Sequence, residues 1–63
     1  MEWYLYHVKH PVGEFIGVAR SESEAKEHFG ARSVITPLQT DAEASNCIVN
    51  MRARGTERVM LAI

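Results

Sequence analysis

Apolar side chains are concentrated in two segments near the start of the chain, separated by a short segment with turn residues, and this pattern predicts two β-strands. The segment from Glu2 to Val8 is rich in aromatic and branched side chains, and the segment from Glu14 to Arg20 follows the same pattern. Pro11 and Gly13 lie between the two segments and are typical of a turn. We therefore expect the chain to begin with a β-hairpin.

The second strand has two different faces. Because successive side chains on a strand point to opposite sides, Phe15, Gly17 and Ala19 share one face. Small residues on this face would allow a helix to approach closely, so we expect it to face the helix that follows. Ile16 and Val18 must then point to the other side of the sheet.

The segment after the hairpin is polar and predicts a short helix. Ser21 followed by Glu24 forms a capping box, in which a serine at the helix start is paired with a glutamate in the first turn. Ala25 and Phe29 form a narrow apolar stripe, and Gly30 is suited to the position just after the helix. A helix this short is marginal in isolation, so it must be held by a sheet.

The middle of the chain predicts a third strand and a weaker helical element. Ser33 to Thr36 has strand character, and Pro37 is expected to end this strand because proline cannot donate a ladder hydrogen bond. Thr40 to Glu43 has the pattern of a second capping box. This pattern predicts either a short helix that continues to Asn46 or a polar loop.

The remaining segment, Cys47 to Ile63, predicts a second hairpin centred near Gly55. Alternation places the apolar side chains of both arms on one face. The opposite face would then carry a basic stripe that consists of Arg52, Arg54 and Arg58.

These elements define a single α+β domain over residues 1–63, in the order β-β-α-β-(short α)-β-β. One antiparallel sheet would carry one short helix on one face. Strands spaced ~4.8 Å apart make a sheet roughly 20 Å wide, whereas a helix covers about 10 to 12 Å. We therefore expect the helix to leave part of the apolar sheet surface uncovered. A partner, a second copy in a homodimer, or curling of the sheet would then protect this surface. That surface comprises Tyr4, Tyr6, Ile16 and Val18.

Charge and cysteine usage narrow the class of protein. The net charge is −1, but Ser21 to Gly30 carries three Glu against one Lys, while Cys47 to Ile63 carries three Arg against one Glu. A single cysteine, Cys47, excludes an internal disulfide and favours the reducing cytoplasm. No apolar run approaches the ~20 residues of a membrane span. We expect a soluble cytoplasmic protein that does not enter a membrane.

Residues with catalytic or metal-binding chemistry are sparse. His7 and His10 would lie on opposite sides of a strand, and neither His28 nor Cys47 completes a zinc-ligand spacing with them. A cysteine nucleophile would also need a base and an orienting group. The glycines match no phosphate-binding loop. We expect no catalytic site, no metal and no cofactor, and therefore no enzyme.

The side chains left over for function are suited to binding. Arginine and tyrosine are enriched at protein interfaces, and they also contact phosphates and stack on nucleic-acid bases. A protein partner is favoured because the domain is slightly acidic. The candidate partner-binding residues are Tyr4, Tyr6, Ile16, Val18, Arg52, Arg54 and Arg58. A secondary acidic patch on the helix comprises Glu22, Glu24 and Glu27.

The segment from Phe15 to Ala25, with the sequence FIGVARSESEA, passes from a strand through a capped turn into a short helix. Over Phe15 to Leu38 the chain resembles small phage-encoded inhibitors, including anti-CRISPR proteins and an inhibitor of host RNA polymerase. The resemblance implies a non-catalytic inhibitor that binds and blocks a larger nucleic-acid-handling complex of the host, a protein or ribonucleoprotein assembly. The alternative is a small nucleic-acid-binding protein that uses the basic C-terminal hairpin.

Overall fold

The computed structural model describes residues 2–30 and 32–62 and has the α+β architecture expected from the sequence. Four strands form one sheet in the order β3-β1-β2-β4, and two helices connect the last three strands. The elements are β1 (Tyr4–His10), β2 (Gly13–Ala19), α1 (Glu22–Phe29), β3 (Val34–Leu38), α2 (Asp41–Arg54) and β4 (Val59–Leu61).

The first two strands form the predicted hairpin at the centre of the sheet. They pair antiparallel from Tyr4 opposite Ala19 to His10 opposite Gly13, around a short turn that contains Pro11. Because directly opposed residues share a face, this register places the side chains of Tyr4, Tyr6 and Val8 on the side of Phe15, Gly17 and Ala19.

β3 pairs antiparallel with the free side of β1, with Ile35 opposite Val8. The strand does not end at Pro37, as the sequence predicts, but continues to Leu38. Proline is tolerated here because β3 is an edge strand, on which one side of the backbone needs no ladder partner.

α1 forms where the capping signals predict it and packs on the expected face of the sheet. The Ser21 hydroxyl accepts a hydrogen bond from the Glu24 amide at 3.1 Å, and the Gly30 amide donates to the Lys26 carbonyl at 3.0 Å. Ala25 is fully buried, and the Phe29 ring lies over Gly17. The core on this side of the sheet consists of Tyr6, Val8, Ala19, Ala25 and Ala62, with Phe15, Phe29 and Ile35 packed against them.

The predicted hairpin over Cys47 to Ile63 is wrong, because its first arm belongs to α2. Thr40 caps this helix through its hydroxyl, which accepts from the Glu43 amide at 3.1 Å. At the other end, Gly55 has a left-handed backbone with φ of 72°, and its amide donates to the Arg52 carbonyl. The next amide, that of Thr56, donates to the Met51 carbonyl at 2.8 Å, which completes a Schellman motif.

The sheet is mixed rather than wholly antiparallel, because β4 pairs in parallel with β2. Parallel neighbours require a crossover connection, and the chain between β2 and β4 provides it through α1, β3 and α2. The backbone bonds at the two ends of this pairing join the Ile16 amide to the Arg58 carbonyl at 2.8 Å and the Ala62 amide to the Val18 carbonyl at 2.9 Å.

α2 lies on the face of the sheet opposite α1. Both faces are therefore covered by a helix, not one face as expected. Glu14 and Ile16 point away from α1, and the Glu14 carboxylate binds Arg54 of α2. Ile16 and Met51 are both buried on this side. The expectation of an open face that contains Tyr6 and Ile16 together is therefore wrong: the two residues are buried on opposite faces of the sheet.

Replacement of Gly17 by Ala tests the close packing of α1. A Cβ atom at Gly17 would lie 2.6 Å from Cε2 of Phe29 and 3.0 Å from Cγ2 of Val8. We expect Gly17→Ala to lower the free energy of unfolding by about 1–3 kcal/mol, because the added methyl group overpacks the core. Urea denaturation measures the change.

Gly13→Ala is the matched control, since a Cβ atom at Gly13 meets no atom within 4 Å and its φ is not positive. We expect its effect to stay within about 0.5 kcal/mol. Equal effects of the two substitutions would contradict the packing of Phe29 on Gly17.

Candidate functional site

Glu14 joins three parts of the chain on the α2 side of the sheet. Arg54 donates from Nε to Oε2 at 2.7 Å and from Nη2 to Oε1 at 2.8 Å. The Thr56 hydroxyl donates to Oε2 at 3.1 Å, and His7 Nε2 lies 2.8 Å from Oε1. The Glu14 side chain is 13% exposed, whereas the Arg54 side chain is 51% exposed, so the carboxylate is largely covered and the guanidinium lies at the surface.

The partners of Glu14 keep its carboxylate ionised. The hydrogen bonds from Arg54, followed by that from His7, lower the pKa of Glu14 to about 2, although burial acts in the opposite direction. In turn, the Glu14 carboxylate raises the pKa of Arg54. The other three side chains all bind the Glu14 carboxylate, which indicates that the cluster fixes the end of α2 to the sheet.

The four sheet residues proposed as a partner-binding surface do not form one surface. Tyr6 and Ile16 are buried, on opposite faces. Tyr4 is exposed on the α1 face, where its hydroxyl donates to the Glu2 carboxylate at 2.8 Å. Val18 is half-buried on the α2 face. The tyrosines and the two aliphatic residues therefore cannot contact one partner together in this fold.

The three arginines also do not form a stripe on a hairpin. Arg52 and Arg54 lie in the last turn of α2, and Arg58 lies just before β4. The Arg52 guanidinium binds Glu57, with Nη2 at 2.7 Å from the carboxylate, and Arg54 binds Glu14. Their charge is largely neutralised within the chain, whereas Arg58 forms no ion pair with a described residue.

The acidic patch lies on α1, as expected, but its members differ. Glu22 binds Lys26 one turn later, with Nζ 3.3 Å from the carboxylate. Glu24 and Glu27 form no ion pair with a described residue, and they line a shallow depression together with Ala62. Two carboxylates of the patch are therefore available beside the end of β4.

The histidines and the cysteine have separate environments. His7 binds Glu14, and His10 accepts a hydrogen bond through Nδ1 from the Val12 amide at 3.3 Å. His28 packs edge-on against Phe29, and burial raises the pKa of the Cys47 thiol on α2. Within residues 2–30 and 32–62, no group of three or more His, Cys, Asp or Glu side chains is placed to hold a metal ion.

An apolar groove that the sequence did not single out lies at one corner of the sheet. α2 starts beyond the Leu38 end of β3 and reaches Glu14 of β2 at its last turn. The helix therefore does not cover the corner of the sheet near Val18. The groove has a volume of about 420 Å³. We call it the Trp3 groove, after the largest of its lining residues, which are Trp3, Val18, Arg20 and Leu61.

Trp3 is the largest side chain of this groove, and it is 46% exposed. The Arg20 guanidinium stacks over its ring at 4.9 Å from the centroid. The alternation of the first strand places Trp3 on the same side of the sheet as Leu5. Alternation does not show which part of that side a helix covers, so it could not reveal that Trp3 lies outside α2. An exposed tryptophan beside a stacked arginine is typical of a binding hot spot.

No protein-family model, no curated protein and no solved structure matches this chain. The helices found in the described part of the chain lack the length and hydropathy to cross a lipid bilayer.

Acid sensitivity tests the role of Glu14. The pKa of Glu14 is about 2 in the folded chain, compared with 4.5 for an unperturbed glutamate. Between these two pH values Glu14 is therefore protonated in the unfolded chain but still ionised in the folded chain. The unfolded state then binds more protons, so the free energy of unfolding falls as the pH is lowered through this window. Urea denaturation at a series of pH values measures the slope.

Glu14→Gln removes this titration and should flatten the dependence in that window relative to the wild-type chain. At pH 7 the same change should cost about 2 kcal/mol, which is typical for hydrogen bonds to a charged group. An unchanged slope in the Gln variant would show that other carboxylates cause the acid sensitivity.

Proposed function

We propose that this chain is a small non-enzymatic protein-binding module that docks a partner in the Trp3 groove. The observation that carries the proposal is the half-exposed Trp3 ring, stacked with Arg20 beside Val18 and Leu61. A tryptophan side chain offers about 150–250 Å² of surface. Nearly half of it remains in water, so burial by a partner would contribute roughly 2–3 kcal/mol.

The proposal extends to the kind of partner. The likeness of Phe15 to Leu38 to small phage inhibitors supports a chain of phage or mobile-element origin. Such a chain would act in the host cytoplasm, where it would bind a nucleic-acid-handling complex and block it. An apolar groove that contains an exposed tryptophan suits a protein surface with a protruding apolar side chain.

A protein partner is favoured over nucleic acid by the state of the arginines. Arg52 and Arg54 bind Glu57 and Glu14 within the chain, so their charge is balanced before any phosphate approaches. Binding to nucleic acid depends on free cationic groups that displace counterions. The hairpin on which the nucleic-acid alternative depended is not formed.

A comparison of three baits tests this proposal. Wild-type chain, Trp3→Ala and Val12→Ala are used for affinity capture from bacterial lysate. Val12 is a highly exposed apolar residue in the β1–β2 turn and does not line the Trp3 groove, so it serves as the matched control. The captured protein is then purified and its affinity for each bait is measured by calorimetry.

We expect Trp3→Ala to weaken binding about 10- to 100-fold, which corresponds to roughly 1.4–2.8 kcal/mol of lost burial. Val12→Ala should bind as the wild type does. Binding should also survive 0.5 M salt, since apolar contacts are not screened. Equal binding by all three baits, or no specific capture by the wild-type chain, would contradict the proposal.

A further inference from the structure

The outer side of β4 carries backbone groups without a strand partner. The carbonyl of Arg58 and the amide of Ala62 both point to β2, where they bind the Ile16 amide and the Val18 carbonyl. In a parallel pair, backbone groups point to alternate sides at successive residues. The N–H and C=O groups of Val59 and Leu61 therefore point away from β2, towards the open edge of the sheet.

β4 is only three residues long, but it lacks the charged side chains and the proline that also protect exposed edge strands. Val59, Met60 and Leu61 are 61%, 42% and 53% exposed, respectively, and none of them is charged. The opposite edge of the sheet, β3, contains Pro37, which limits pairing with another strand. An exposed apolar edge strand without charge or proline favours addition of a further strand.

We propose that β4 pairs with β4 of a second copy of this chain, antiparallel and about a two-fold axis that passes beside Met60. In this register Val59 lies opposite Leu61 of the second copy, and the two residues exchange both backbone hydrogen bonds. Met60 lies opposite Met60 of the second copy as the non-hydrogen-bonded pair. The outward groups of Val59 and Leu61 are thus satisfied on both chains, and the two sheets become continuous.

Charge complementarity identifies a second copy as the occupant of this edge. Arg58 shares a sheet face with Met60 and Ala62, because alternate residues of a strand point the same way. The two-fold register places Arg58 opposite Ala62 of the second copy. On each chain, Glu24 and Glu27 line the depression that contains Ala62.

Arg58 of each copy therefore meets two carboxylates of the other, and the contact occurs twice by symmetry. Within their own chain, the side chains of Arg58, Glu24 and Glu27 form no ion pair with a described residue. The two copies of Arg58 stay apart, since a four-residue offset at about 3.3 Å per residue separates them by roughly 13 Å along the strands. This inference does not depend on a partner in the Trp3 groove.

Sedimentation equilibrium of the full chain between about 1 µM and about 1 mM tests for the dimer. A short strand pair buries little surface, so we expect reversible association within this range. Val59→Lys should weaken it at least tenfold, whereas Val49→Lys should not. Val49 is a matched control because it is 60% exposed and lies on α2. A wild-type chain that stays monomeric, or equal effects of the two lysines, overturns the proposal.

A charge exchange tests the register itself. Arg58→Glu and the double variant Glu24→Arg/Glu27→Arg should each be monomeric, because like charges then face each other across the two-fold axis. An equimolar mixture of the two should dimerise again, since each altered chain complements the other. Circular dichroism of each variant confirms that the helices are retained.

Failure of the mixture to associate, or dimerisation of either variant alone at the wild-type concentration, would overturn the Arg58 contact. Trp3→Ala should leave the dimer unchanged. Loss of partner binding in that variant with the dimer intact separates this inference from the proposed function.

Discussion

The pairing of Glu14 with Arg54 is the interaction on which the position of α2 against the sheet depends. It joins positions 40 residues apart and fastens the last turn of α2 to β2. Because the segment after α2 continues directly to β4, the same contact also determines where the fourth strand starts. Loss of Arg54 would leave the Glu14 carboxylate, whose side chain is 13% exposed, with only His7 and Thr56 as hydrogen-bond partners. Removal of one partner from a hydrogen bond to a charged group costs more than the net gain from forming that bond.

Two crossovers in opposite directions explain why each face of the sheet carries a helix. The first runs from β2 over β1 to β3 and carries α1, and the second returns from β3 to β4 and carries α2. Right-handed connections in opposite directions place their helices on opposite faces. The sheet has one edge protected by Pro37 and one open edge, so the features suited to contact are concentrated around β4 and the neighbouring corner at Trp3.

The sequence predicts the first half of this fold well because its signals are local. Ser21 and Gly30 cap α1, and alternation assigns the faces of the first two strands correctly. The segment after Cys47 is mistaken for a strand because branched residues alternate with polar ones there, although the helical spacing is also present. The residues that carry this spacing, at i, i+3, i+4 and i+7, are Ala44, Cys47, Ile48 and Met51. The Glu14 cluster and the Trp3 groove depend on contacts distant in sequence, which no spacing rule supplies.

The position of β4 also has a consequence for the order in which the chain assembles. β2 is an inner strand of the finished sheet, yet its outer partner is synthesised last among the strands. The hairpin, α1 and β3 contain mostly short-range connections and can associate first, whereas β4 must wait until α2 is complete. During this interval the outer edge of β2 has no partner, so we expect that stage of biosynthesis to be the one most exposed to misassembly.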